Sequence, residues 1–255
     1  MSVSVWLAPL LDVRRLATAM PRYVRYLRDW RRYARLPGAE PLRLADAHPC
    51  LHDRTASNAF DGHYFYQDIW AYTQIARRRP AEHVDVGSNV YFVGMLTAIA
   101  PVTFVDIRPL RARLAGLTCR TGSLLDLPYP DASVASLSCL HVAEHVGLGR
   151  YGDPLAPDGT RRAAAELARV LAPGGDLYFG VPVGRPRVCF NAHRVHAPQQ
   201  ILDYFADLRL VAFAGVDDRY HFHPTADPAD FADERYACGL FHFTRDAACA
   251  PESLQ

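Results

Sequence analysis

Residues 83–88, His83-Val84-Asp85-Val86-Gly87-Ser88, decide the fold. A short apolar run ends on a carboxylate and turns through Gly87 into residues 92–100, whose pattern predicts a helix. About twenty residues after Asp85 a second strand-like run, Val102-Thr103-Phe104-Val105-Asp106, closes on another carboxylate. In an open α/β sheet, ligands bind beyond the carboxyl ends of the strands. There a glycine lets the backbone approach the ligand, and an acid at this spacing accepts hydrogen bonds from a ribose diol. The two runs together predict a nucleoside-containing cofactor, without separating NAD from S-adenosylmethionine (SAM).

Outward from this pair the chain alternates. Strands are expected at 118–120, 134–140, 176–181, 208–213 and 236–244. Helices are expected at 110–114, 161–171 and 198–205, with a long His-, Asp- and Pro-rich loop over 217–234. Upstream, 63–76 reads as a helix and 36–62 as an irregular connection. Residues 14–35, with eight arginines and interleaved Tyr23, Tyr26, Trp30 and Tyr33, read as one or two helices separated at Pro21. The expected architecture is a Rossmann-like α/β fold: a seven-strand, mostly parallel sheet with helices on both faces. It occupies 63–255, after a helical N-terminal extension and connecting loop over 1–62.

Bulk composition narrows the function. The 255 residues, 50% apolar and 22% charged, suffice for one well-buried domain. A formal net charge of +1 and the lack of a long basic stripe argue against a nucleic-acid partner. Residues 3–11 are apolar, but no basic residue precedes them, and no run approaches the length of a membrane span. The six cysteines are scattered without CxxC spacing, which fits a reducing cytoplasm. The arginine-rich helical segment also suits peripheral contact with anionic lipid.

Further along, Gly122-Ser123-Leu124-Leu125-Asp126-Leu127-Pro128-Tyr129-Pro130-Asp131 and the stretch Ala164 to Gly175, with its Arg169-Val170-Leu171-Ala172-Pro173-Gly174-Gly175 turn, carry a resemblance. Over about residues 63–245 the chain resembles class I SAM-dependent methyltransferases. Within them it is most similar to a subgroup of unknown function, some of whose members accompany bacterial surface-polysaccharide genes. The segments similar to that subgroup are His63-Tyr64-Phe65-Tyr66-Gln67-Asp68, His141-Val142-Ala143-Glu144-His145, Gly149-Arg150-Tyr151-Gly152-Asp153-Pro154 and Phe190-Asn191-Ala192-His193-Arg194. The resemblance implies SAM as cofactor, with Asp85, Gly87 and Ser88 at its methionine part, Asp106 and Ile107 at the ribose, and Ser123 and Leu124 at the adenine. The sequence departs from the family at the glycine turn, where Asn89 and Tyr91 replace two glycines. Tyr91 must then point away, and Asn89 is a residue that tolerates positive φ.

Methyl transfer to a hydroxyl needs a base for its proton, and imidazole titrates near neutrality. His145 is the candidate base, Glu144 its orienting partner and His141 a pocket-lining residue. Asn191, His193 and Arg194 follow the fifth strand and can approach the same opening. Arg150, Tyr151 and Asp153 belong to a glycine-rich loop that can form a lid. These groups suit a small polar or saccharide acceptor methylated on oxygen, with no metal ligand assigned. Two other readings compete: a non-catalytic chain of the same fold that binds a partner, and a zinc hydrolase, since His141-x-x-Glu144-His145 also spells H-x-x-E-H. The latter needs an α-helix through both histidines.

Overall fold

The computed structural model describes the backbone of residues 13–108 and 110–247, with side chains from residue 19 onward. The apolar stretch 3–11 and Cys249 lie outside the described residues. The chain divides into two compact units, Met1–Phe60 and Asp61–Gln255. In the first, helix α1 spans Val13–Tyr33 without a break. Pro21 removes one backbone donor but does not end the helix, so of the one or two helices expected a single one forms. Met20, Val24 and Leu27, spaced to share one helical face, are exposed.

The second unit is built on an eight-stranded sheet in the order β3-β2-β1-β4-β5-β10-β8-β9. The strands are β1 His83–Val86, β2 Val102–Asp106, β3 Leu117–Thr121, β4 Val134–Leu140, β5 Leu171–Val183, β8 Arg209–Val216, β9 Phe222–His223 and β10 Ala237–Thr244. Strands β1 to β5 pair in parallel, and β10 runs antiparallel to both β5 and β8. This is the expected Rossmann-like α/β architecture with one more strand than expected. The addition is the two-residue β9, inside the segment read as loop. A separate hairpin, β6 Arg187–Cys189 with β7 His193–Val195, was not expected either.

Helices cover both faces. Helix α2, Gly62–Arg78, starts where the Asp61 carboxylate accepts hydrogen bonds from the backbone N–H groups of His63 and Tyr64. Gln67, Trp70, Ala71 and Ile75 recur at helical spacing on its buried face. It packs with α3, Val90–Leu96, in a cluster containing Trp70, Phe92, Leu96, Phe104 and Tyr178. On the other face α4, Gly159–Val170, and α5, Pro198–Tyr204, join a cluster containing Val105, Leu137, Leu167, Phe179 and Ile201. Residues 110–114 form no helix. So short a segment does not recover the cost of helix nucleation.

The Pro173-Gly174-Gly175 turn also differs from expectation. Strand β5 begins at Leu171, which already pairs with Val134, and pairing resumes at Ser136 with Asp176. Ala172 to Gly175 thus bulge out of the strand, with Gly174 at φ 73.

Candidate functional site

Strand order reverses at β1, with β2 on one side and β4 on the other, so the carboxyl ends of these strands frame a crevice. The turn after β1 is held from beneath. Asp85 is fully buried. One carboxylate oxygen accepts the Ser88 backbone N–H at 3.0 Å, and the other accepts the Ser138 hydroxyl from β4. Ser138 and Ser136 in turn meet the two ring nitrogens of His83, each at 2.8 Å. Burial pushes the Asp85 carboxyl up to about 7, against hydrogen bonds from Ser138 and Ser88 that draw it down. Burial alone pushes His83 down to about 3.

Above this anchor Gly87 sits at φ 71, where an added Cβ would lie 2.9 Å from Val142 and 3.8 Å from Asp106. Asn89 adopts φ −58, so it does not use left-handed backbone; its side chain instead caps α3 by accepting the Tyr91 backbone N–H at 2.9 Å. Tyr91 is 80% exposed and points away from the crevice.

Two cavities open here. The nucleoside-sized one has a volume of about 420 Å³ and is lined by Gly87, Asp106, Ile107, Ser123, Leu124 and Val142, among others. The inner one, about 590 Å³, is lined by Ser88, His63, Tyr64, Glu144, His193 and Tyr236, among others. Gly87, Arg108, His141, His145 and Tyr151 belong to both. A third, outer cavity of about 560 Å³ shares His63, His193, Tyr220 and Tyr236 with the inner one.

The His–Glu cluster forms where β4 ends in a 3-10 turn, Ala143–His145, with His141 at φ 55. Left-handed backbone and a three-residue turn do not make the α-helix that the H-x-x-E-H zinc reading requires. Among the described residues no group of His, Cys, Asp or Glu is arranged to hold a metal ion. Glu144, fully buried, accepts from His141 Nδ1 at 2.8 Å and lies 3.7 Å from His145 Nε2. The hydrogen-bonded partner of Glu144 is therefore His141. His145 is oriented by the Ala192 carbonyl, which accepts from its Nδ1 at 2.6 Å. Burial works against an imidazolium at His141. Cys238 and Glu144 favour it and prevail, so the His141 pKa is raised well above its ordinary value. Burial would raise the Glu144 carboxyl, but His141 holds it below its usual range. His63 stacks on His141 with ring centroids 5.8 Å apart. Burial, and then His141, push its pKa down to about 4.

The remaining expected residues divide. His193, Arg150 and Tyr151 line the inner cavity, and Asp153 lines the nucleoside cavity. The Asp153 carboxylate is committed to the backbone N–H groups of Gly147, Gly149 and Tyr151, so it braces the loop. Asp85, Asn191 and Arg194 line neither cavity, contrary to expectation. Asp85 turns into the sheet toward Ser138. Asn191 is exposed. Arg194 is buried and donates to the carbonyls of Val146 at 2.5 Å and Ala156 at 2.9 Å. Sequence reasoning did not single out His63, Tyr64, Tyr220, Tyr236, Arg108 or Val142 as site residues. Only the aromatic cluster at 63–66 gave a signal.

The model of a family described as "Caenorhabditis protein of unknown function, DUF268" matches residues 132–221. No curated protein matches the chain. Among solved structures, the N-methyltransferase NodS from Bradyrhizobium japonicum WM9, in complex with S-adenosyl-L-homocysteine, is similar at 15% identity and TM-score 0.52. The match covers 79% of this chain and 94% of that one. The 4+2 cyclase SpnF is similar at 14% identity and TM-score 0.50, covering 71% of this chain and 81% of that one. One neighbour is a methyltransferase and the other a cyclase, so likeness of fold does not determine the reaction; the site must. The second unit has the Rossmann-like fold of the methyltransferases.

Proposed function

We propose that the second unit transfers a methyl group from SAM to a hydroxyl oxygen of a small polar or saccharide acceptor. The observation that carries this reading is the pair of adjoining cavities that share His145, one suited to a nucleoside and the other lined by histidines and tyrosines. The residues present fit the cofactor. Gly87 presents bare backbone where a Cβ would crowd Val142, and Asp106 ends β2 with one carboxylate oxygen accepting the Arg108 N–H and the other turned toward Gly87. Ile107, Leu124 and Val142 supply apolar wall. Tyr91, the more serious departure from a glycine turn, stays out of the way. When bound, SAM supplies an activated methyl group on a sulfonium.

The chain's own part is to bind, orient and take a proton. With its Nδ1–H donated to the Ala192 carbonyl, His145 carries its lone pair on Nε2. That nitrogen takes the proton of the acceptor hydroxyl. The Glu144 carboxylate, 3.7 Å away and fixed by His141, stabilises the imidazolium that results. Helix α1, with arginines beside its exposed Met20, Val24 and Leu27, supports peripheral contact with anionic lipid as a further part of this reading.

Isothermal calorimetry with SAM and S-adenosylhomocysteine tests the reading, with binding expected at about micromolar Kd, roughly 8 kcal/mol. Absence of binding would favour a partner-binding chain of the same fold. Given binding, His145→Ala is expected to lower kcat about 100-fold or more while leaving S-adenosylhomocysteine affinity within about threefold. An unchanged kcat would remove His145 from the chemistry.

A further inference from the structure

Charge is unevenly satisfied in the inner cavity. Its carboxylates, Asp61 and Glu144, are both engaged: Asp61 with the first turn of α2, and Glu144 with His141. Its guanidinium groups are less so. Arg150 donates only to the Ala192 carbonyl, at 3.1 Å, with a further contact to the His145 ring, and among the described residues it has no ion pair with a carboxylate. Arg108 forms an ion pair with Asp106, 3.5 Å from its Nε, and among the described residues its terminal nitrogens have no hydrogen-bond partner. Both guanidinium groups pack on one ring, Tyr151, with Arg108 at 4.3 Å and Arg150 at 5.1 Å from its centroid.

Several arginines elsewhere in this unit pair with acids, while Arg194 and Arg245 donate to backbone carbonyls. Arg78 pairs with Asp176, Arg169 with Glu166 and Asp131, Arg161 with Asp158, and Arg209 with Asp246. The outer cavity holds Arg187 and Arg235 but also Asp217 and Asp218, so its formal charges cancel. Those of the inner cavity, Arg108 and Arg150 against Asp61 and Glu144, cancel as well; what sets it apart is that its two guanidinium groups share one tyrosine ring. A guanidinium that keeps free N–H donors beside a cavity has the geometry to receive a two-oxygen anion. The neighbouring backbone adds to this: Gly147, Gly149 and Gly152 all have positive φ, and Asp153 ties the loop so that Arg150 and Tyr151 are presented together.

From this we infer that the acceptor is an anion, and that its carboxylate or phosphate group is held by Arg150 and Arg108 on the Tyr151 ring. The inference rests on the methyl-transfer reading of the same site and narrows its acceptor from polar molecules in general to acidic ones. The anion fixes one end of the acceptor, and the hydroxyl reaches His145, which packs edge-on against the same tyrosine with centroids 5.8 Å apart.

Benzoate, phenyl phosphate and benzyl alcohol test the inference, since they share a ring suited to this aromatic-lined cavity and differ in charge. Binding of each to the full chain is followed by ligand-observed NMR at low ionic strength, and S-adenosylhomocysteine binding is measured by calorimetry on the same samples. The expected result is that at least one anion binds about tenfold or more tightly than benzyl alcohol, which is about 1.4 kcal/mol. Which anion prevails separates carboxylate from phosphate recognition. In Arg150→Gln the preference should fall below about threefold, with S-adenosylhomocysteine affinity retained as evidence of folding. Equal binding of charged and neutral probes, no binding of any, or an undiminished preference in Arg150→Gln overturns the inference. If S-adenosylhomocysteine binds in those cases, the methyl-transfer reading stands without it. Anion preference without S-adenosylhomocysteine binding keeps the anion site and removes the methyl-transfer reading.

Discussion

Replacing Asp85 by Asn should stabilise the protein at neutral pH and remove part of its pH dependence. Asp85 is completely buried, and its carboxyl is raised from 3.8 to about 7. An acid whose folded pKa lies above its unfolded value binds more protons in the folded state. The contribution of Asp85 to stability is therefore greatest below about pH 4, falls as pH rises through the interval to about 7, and then levels. A shift of about three units, at ~1.4 kcal/mol each, amounts to about 4 kcal/mol lost across that interval. Asparagine keeps the acceptor for the Ser88 N–H and offers Ser138 a donor in place of an acceptor. Ser138 can then donate to His83 Nε2, and His83 to Ser136, so the whole hydrogen-bond row reverses direction without moving an atom heavier than hydrogen. One amide hydrogen remains unpaired, at about 1–3 kcal/mol. Near pH 8 the variant is expected to be about 1–3 kcal/mol more stable than the wild type. Urea unfolding of both proteins at several pH values measures this, because the difference curve isolates Asp85 from every other titrating group. A difference that does not change between about pH 4 and 7 would refute the reasoning, as would a loss of more than about 3 kcal/mol near pH 8, which would mean the carboxylate is ionised and needed.

Two further expectations concern other parts of the molecule. Arg194→Met should cost about 1–2 kcal/mol of stability, by stripping two partly buried carbonyls of their donors, and leave S-adenosylhomocysteine affinity unchanged; a selective loss of acceptor binding would return Arg194 to the site. In sedimentation with vesicles, the full chain should bind phosphatidylglycerol-containing membranes and not neutral phosphatidylcholine, and Val24→Glu with Leu27→Glu should abolish this binding; binding to both membranes or to neither counts against the helix α1 reading.

The strands nearest the site were legible because their signals are local. Runs of β-branched and aromatic residues, closed by Asp85-x-Gly87 and by Asp106, delimit β1 and β2, while the mostly apolar run Val134–Leu140 marks β4. The hairpin of β6 and β7 was not legible. Its three-residue strands interrupt a Pro-, Arg- and Asn-containing connection and carry no alternation long enough to detect. Within the site, Asp106, Ser123 and Leu124 stand at strand ends or just beyond, where topology alone puts a residue in the crevice. Partnerships were harder to foresee. Glu144 adjoins His145 in sequence yet bonds His141, because a left-handed residue at 141 folds the chain back on itself. His63 and Tyr236 lie at the start of α2 and just before β10, far apart along the chain, and meet only because both elements begin at the same edge of the crevice.

The wall of Gly87, Arg108, His141, His145 and Tyr151 is common to the nucleoside cavity and the inner cavity. A partition that two ligands touch at once makes their affinities interdependent, and thermodynamic linkage requires the effect to be reciprocal: whatever factor one ligand imposes on the other's dissociation constant is returned in full. Tyr151 belongs to a loop with three left-handed glycines, carries two cations on its ring and faces both sides of that partition. Its position when one cavity is filled sets the shape of the other, so selectivity at this site is a property of the ternary complex and cannot be apportioned between two independent pockets.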